Sequence, residues 1–546
     1  MILTPSGQAP NQTMGGRVTL DGLLRRAAEL HGDAPALLDA QNRPMTIGGP
    51  ARQLSFADVD RTVNALARRL LAAGLATDTV IATQFALSSD AVIALLAISR
   101  AGMIAAPVPL GWGRRETSSY LQRIGARAIL CASRSGSIDS ADIMREAAAE
   151  TFSVRFVFSL GEPVLDGVVA LDEVFADEDA SEKIETARVG NPADHVALVT
   201  AETTADGFVA LARSANQVIA GGLTSFIAGT PDAKSVMAAT LSPDTFAGIA
   251  TQIVPWLMSQ SKLILHPPLA PRVMREALVA DKVTHAVLPV SLAGLAVNLN
   301  GAALSHILLI GRRHTDVAAA AKLVVPGAIV DFFFAPGEIG LVGIRRTSES
   351  AVLANGPQSF SKAASNAPIL VETRINANGS LELRGAMVPG SAFPPGSERM
   401  SQATLAFDKE GFVDTGFAAH AAAEGLAVDA DPVGVIAVGG RRFAESDIRA
   451  AYAEAGGEIA PVIKADPILG QRVAGLIGDG RGIAGLGVRL SDMGLTPLAV
   501  PGAGRHAGPL PFEDTSPRPK PVLEPEDDRR AALDAFLAMA KAAASR

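Results

Sequence analysis

The chain has 546 residues, more than one hydrophobic core usually supports, so two or more domains are expected. With 48% apolar and 19% charged residues it has ample material for a core and is not a disordered chain. A formal charge of −8 with no run of five basic residues argues against nucleic acid as a partner.

Cys131 is the single cysteine, so an internal disulfide and a thiolate zinc cluster are excluded. No apolar stretch reads as a signal segment or a membrane span, and a cytoplasmic protein is expected. The eight histidines show no metal-ligand spacing.

From Val18 to Ile264 helical stripes alternate with short β-branched runs, the pattern of helices packed on a mainly parallel sheet. The clearest helix follows Ser55, where Asp58 sits at capping-box spacing and Phe56, Val59, Val63, Leu66 and Leu70 share a face. Strand runs are expected at 79–85, 105–109 and 126–131, with a helix from Asp90 to Arg100. The rhythm resumes at 195–200, 235–241, 262–265, 306–310 and 328–334, which implies a second α/β layer. After about Val428 the chain changes to the glycine-punctuated DADPVGVIAVGGRRF, then a helix, a strand and a Pro-rich acidic stretch from Gly502 to Asp528, the look of a small C-terminal domain. A last helix, 525–544, carries an apolar docking face. No fixed repeat period is present.

The segment from LSFADVDRTVNALARRLL to AGMIAAPVPL is followed in order by HVALVTAETTADGFVALARSANQ, HILLIG, FFFAPGE, GFVDTGF and VIAVGGRRFAESDI. In these landmarks the chain resembles the acyl- and aryl-CoA synthetases of the adenylate-forming superfamily along nearly its whole length. The resemblance implies an α/β fold with a large N-terminal AMP-binding-like domain, residues 1–430, and a small α+β lid, residues 431–546. Between them ATP and Mg²⁺ would convert a carboxylic acid to an acyl-adenylate, which the thiol of CoA or a carrier then attacks. A homodimer is compatible with it.

Carried over residue by residue, the resemblance makes Thr200, Thr203 and Thr204 the hydroxyls of the triphosphate loop, and places Gly311 at the adenine loop. Phe334 would lie near adenine and Glu338 would bind Mg²⁺ and act in catalysis, while Thr415 belongs to the nucleotide site. Gly439 and Gly440 match the loop that reaches the site when the thioester forms, and Lys520 is the nearest counterpart of the final catalytic lysine. For Glu338 the residues alone also allow a plain loop carboxylate, and for Gly439 and Gly440 an ordinary hairpin turn.

The chain departs from the family at several of these points. Glu202 stands where the triphosphate loop has its first glycine, Gly207 replaces its proline and Phe208 its lysine. Arg312, Arg313 and His314 replace small adenine-loop residues, either as a new anion site or as a solvated basic turn. Phe417 replaces the ribose-binding aspartate, Ala430 and Asp431 replace the hinge Gly-Arg, and Pro519 precedes Lys520 in place of glycine. Asp244 and Thr245 stand where the acyl tunnel is expected, which implies a polar acyl substrate or none. Two readings follow: a divergent acid:thiol ligase with weakened or lost activity, and a non-catalytic homologue that binds an acyl or CoA ligand or a protein partner. Acyl transfer through a serine or Cys131 has no support, since no Gly-x-Ser-x-Gly elbow exists and Cys131 lies in an apolar strand run.

Overall fold

The computed structural model describes residues 1–3, 16–177, 184, 188–267, 271–297, 302–320, 324–346, 351–359, 367–397, 405, 407–456, 459–466, 470–477 and 485–501. Lys520, the Pro-rich stretch and the expected last helix lie outside the described residues.

Two large sheets form the body. In the first, of eight strands, Val80–Gln84 lies between Ile104–Pro107 and Ala128–Ala132, both parallel to it, with Ile81 beside Ala105 and Ala128. Beyond Ile104–Pro107 come Val196–Thr204 and its antiparallel partner Gly207–Ser214. The second sheet, of fourteen strands, has a parallel half that includes Val236–Ala239, Lys262–Leu265, His285–Pro289, His306–Gly311 and Ile329–Phe334. It continues antiparallel through Val342–Arg346 and Ala351–Leu353 to Gly425–Ala430 and Val413–Ala422.

The helices Leu20–His31, Phe56–Ala72, Ser89–Arg100 and Ala215–Gly229 bury apolar faces in a core that also takes Ile81 and Leu130 from the first sheet and Leu37 and Leu263 from the second. The capping box expected at Ser55 and Asp58 is formed in both directions. Ala215–Gly229 comes unusually close to the turn Ile249–Ile253 and the helix after it. A Cβ on Gly222 would stand 2.2 Å from Val254 Cγ1, so glycine is required for that approach.

Gly425–Ala430 is the last strand of the large sheet; after it Val435–Val438 and Arg441–Ala444 form their own hairpin, followed by the helix Glu445–Glu454, the hairpin Ile459–Asp466 with Gly470–Ile477, and the helix Leu486–Asp492. These elements do not stand apart. Phe443, Ile448, Tyr452, Leu490 and Leu498 share one buried cluster with Trp112, Tyr120 and Leu121 of the N-terminal part. Thr496 donates to the Gly111 carbonyl at 2.6 Å, and the helix Arg114–Ile124 begins at Gly113 directly against the Gly494 carbonyl. Among the described residues, no helix is long and apolar enough to cross a membrane.

Candidate functional site

The stretch expected to wrap a triphosphate is a closed β-hairpin. The strand runs past Thr200 to Thr204, and ladder pairs Thr203 with Phe208 and Thr204 with Gly207 leave Ala205 and Asp206 as a two-residue turn. Valine and phenylalanine suit a strand, and Gly207 at φ +112° closes the turn where other residues would be strained. The hydroxyls are largely used inside the protein: Thr204 donates to the Gly207 carbonyl at 2.9 Å and Thr203 to the Arg442 carbonyl at 3.1 Å. Thr200 is buried, and its hydroxyl has no partner among the described residues. Phe208 packs edge-on to Tyr120 and tilted against Trp112, with ring centroids 5.9 and 5.8 Å apart.

Three buried carboxylates meet beside this hairpin, each paired with an arginine. Glu202 accepts from Arg442 Nη1 at 3.0 Å, from the Thr203 amide at 2.8 Å and from the Glu338 amide. Glu338 accepts from Arg312 Nη2 at 2.6 Å and from the Phe246 amide at 2.5 Å. Asp244 accepts from Arg441 Nη1 at 2.6 Å and from the Leu110 amide at 2.6 Å. Burial pushes the Glu338 carboxyl up, opposed chiefly by the Arg312 charge. Behind them the buried Arg213 donates to the carbonyls of Met387 at 3.0 Å, Ile339 at 2.8 Å and Glu338, and lies 3.8 Å over the Phe246 ring. Burial pulls its guanidinium down to about 9.

The remaining expected residues surround this cluster. Gly311 ends its strand packed against Asp316, whose carboxylate accepts from the amides of Arg312 and Arg313 and from the Arg313 guanidinium. Arg312 thus turns inward to Glu338, while Arg313 makes a partly exposed pair with Asp316 one turn on. Phe334 and Phe417 pack edge to face at 5.0 Å, and Arg442 lies 4.8 Å over Phe417. Thr415 donates to the Leu381 carbonyl at 2.8 Å, while Asp414 is on the other side of that strand and accepts from Ser380. Asp431 accepts from the His314 amide at 2.8 Å. Gly439 and Gly440, at φ +58° and +74°, form the two-residue turn between Val438 and Arg441, and Gly440 lines the same narrow space as Glu338 and Arg312. The hairpin turn and the approach to the site are therefore both present.

A cavity of about 200 Å³, lined by Leu241, Val290, Leu292 and Ile310 with Arg312 and Arg441 at its wall, lies on one side of the ion pairs. On the other side is an open cavity of about 760 Å³ that reaches Trp112 and Phe208. The space between them, bordered by all three ion pairs, is only about 20 Å³.

Mg·ATP is the cofactor that the resemblance implies, and the residues do not fit it as they stand. The backbone amides of the stretch expected to cradle phosphate are paired across a ladder, Glu338, which the resemblance assigns to magnesium, is held by Arg312, and Phe417, where the resemblance expects a ribose-binding aspartate, packs on Phe334. Among the described residues no group of His, Cys, Asp and Glu is placed to hold a metal ion. The sequence reading missed Arg213, Arg441 and Arg442. The signal was there: a carboxylate gained at positions 202 and 244 calls for new cations, and the pair Arg441-Arg442 directly follows Gly440.

Solved structures that share the fold include the following two. The apo structure of MbtA from Mycobacterium smegmatis matches 89% of this chain and 90% of its own with a TM-score of 0.62 at 18% identity. Amide bond synthetase McbA from Marinactinospora thermotolerans matches 88% of this chain and 94% of its own with a TM-score of 0.64 at 17% identity. Among curated proteins, the phosphinothricin tripeptide synthetases PhsC and PhsB of Streptomyces viridochromogenes are 29% identical over 112 residues and 35% identical over 101 residues. Those matches take in 20% and 18% of this chain and 9% and 8% of the relatives, so the chain spans about a tenth of their length. The profile of the AMP-binding enzyme family matches residues 24–327, more than half of the chain, and the chain belongs to the AMP-binding, adenylate-forming enzyme family.

Proposed function

We propose that this chain is an adenylate-forming homologue that has exchanged nucleotide chemistry for a fixed, internally paired site, and that it binds a carboxylic acid or acyl thioester without adenylating it. The observation that carries this reading is the pairing of Glu202 with Arg442 and of Glu338 with Arg312 beside a closed hairpin. A phosphate entering there would have to displace arginines from buried carboxylates, and each abandoned carboxylate would then be buried without its partner. The division at residues 430 and 431 into body and lid belongs to the same reading, with the lid held down by a shared apolar core and buried ion pairs rather than free to swing.

The 200 Å³ cavity supports the choice of ligand. Its apolar side walls suit a short acyl group, and Arg312 Nε, which has no hydrogen-bond partner among the described residues, offers a donor not spent on Glu338 to a carboxylate or thioester oxygen at one end. CoA or a carrier thiol would be the source of such a thioester.

The test is the melting temperature with and without Mg·ATP, followed by an assay for pyrophosphate release with CoA and a panel of carboxylic acids. No shift and no release are expected. A nucleotide held at 100 times its Kd would add about 2.7 kcal/mol; that rise, or turnover abolished by Glu338→Ala, would overturn the reading in favour of a working acid:thiol ligase.

A further inference from the structure

The 760 Å³ cavity lies outside the three carboxylate–arginine pairs, between the helix Arg114–Ile124, the hairpin turn at Asp206 and the lid helix Glu445–Glu454. Its size is that of a small-molecule site. Trp112 and Phe208 form an aromatic wall, and Ile124, Phe443, Ile448 and Leu495 extend it with apolar surface.

The charges on its rim are unequal in their commitments. Arg442 is turned inward to Glu202, and Arg115 is paired with Glu454 at 2.8 Å. Arg123 donates to the Phe208 carbonyl at 3.0 Å and lies 5.7 Å over its ring. The Glu116 carboxylate accepts from the amides of Gly113 and Thr496. Asp206 and Asp447 differ: both line the cavity, and neither forms a salt bridge among the described residues. The Asp447 carboxylate lies against the turn that carries Asp206, since a Cβ on Gly207 would stand 3.8 Å from Asp447 Oδ2. Asp447 is exposed by surface area, and partial desolvation pushes its carboxyl up against the opposing charge of Arg115.

We propose that this cavity is a binding site for an organic amine with an apolar or aromatic body. The ammonium group would sit between Asp206 and Asp447, and the body would lie against Phe208 and Trp112, whose ring faces also attract a cation. Phe208 belongs to the closed hairpin, so the wall exists because the hairpin is closed. The proposal does not depend on nucleotide or on the acyl cavity, and its test uses neither.

The probes are 2-phenylethylamine, 2-phenylethanol and 3-phenylpropanoate at neutral pH, with binding to the full chain followed by calorimetry. The amine is expected to bind and the other two to bind at least about tenfold more weakly. Asp206→Asn and Asp447→Asn are each expected to weaken the amine several-fold with the melting temperature kept, and the double variant to remove the preference over the alcohol. Phe208→Leu should weaken amine and alcohol alike, which separates the wall from the charges. Failure of the amine to bind, tighter binding of the carboxylate, or an undiminished preference in the folded double variant would overturn the proposal.

Discussion

Arg442, on the strand that follows the Gly439–Gly440 turn, reaches across to Glu202 in the hairpin at 3.0 Å, and both side chains are more than nine-tenths buried. The two residues are 240 positions apart, so the contact ties the C-terminal elements to the body at the hairpin where the resemblance expects a phosphate loop. Removing one partner of a buried pair leaves the other charge without compensation. Arg442→Met and Glu202→Leu are each expected to cost about 3–5 kcal/mol in urea unfolding. The double variant should cost less than the sum by about 2 kcal/mol or more, and additive losses would show that the two side chains are not coupled.

Gly337 is the second fixed point of this arrangement. It holds φ +63°, and a Cβ there would stand 1.7 Å from Glu202 Oε2 and 2.8 Å from Arg442 Nη1. Gly337→Ala therefore combines backbone strain with displacement of a buried ion pair, and a loss of at least about 2 kcal/mol is expected. Gly356→Ala, at a similar φ with open space around it, supplies the comparison and should lose only the backbone strain, about 1 kcal/mol. Equal losses in the two variants would remove the role assigned to the Glu202 contact.

Local pattern made the scaffold legible. Ser55 and Asp58 announced a helix start because capping chemistry is a matter of three residues, and the apolar runs at 79–85 and 262–265 coincide with strands because buried parallel strands are short and apolar. The site was legible only as a set of losses. Glu202 and Phe208 could be read as departures, yet what they do depends on Arg442 and Trp112, which lie far away in sequence. The hairpin itself is local, with Thr203 facing Phe208 across a two-residue turn, but the rings that pack on Phe208 come from far away in sequence. Lys520 cannot be set against this geometry, since it lies outside the described residues.

Cys131 is buried on the strand Ala128–Ala132, and burial pushes its thiol up to about 12. At neutral pH almost no thiolate exists, and reagent cannot reach the sulfur without opening the sheet. The native protein should leave a chromogenic disulfide reagent unreacted for as long as it stays folded, and release one equivalent at the rate of unfolding once denaturant is added. Fast labelling of the native protein would mean that the first sheet opens locally.

The pH dependence of stability has an identifiable contributor in His266. The side chain is 3% exposed, its Nε2 has no hydrogen-bond partner among the described residues, and burial pulls its pKa down to about 4 from 6.5. The unfolded chain therefore takes up a proton on this residue near pH 6.5, whereas the folded chain resists until about pH 4. Because the unfolded state binds more protons between those values, the contribution of His266 is fully present above pH 6.5 and is lost as the pH falls toward 4, on the order of 3 kcal/mol in all. Urea unfolding at pH 7, 6 and 5 should show this decline, and His266→Leu should flatten it while changing stability at pH 7 by less than about 1.5 kcal/mol. A variant with the same slope as the unaltered protein would assign the acid sensitivity elsewhere, to groups such as His285, whose pKa burial also pulls below the ordinary histidine value.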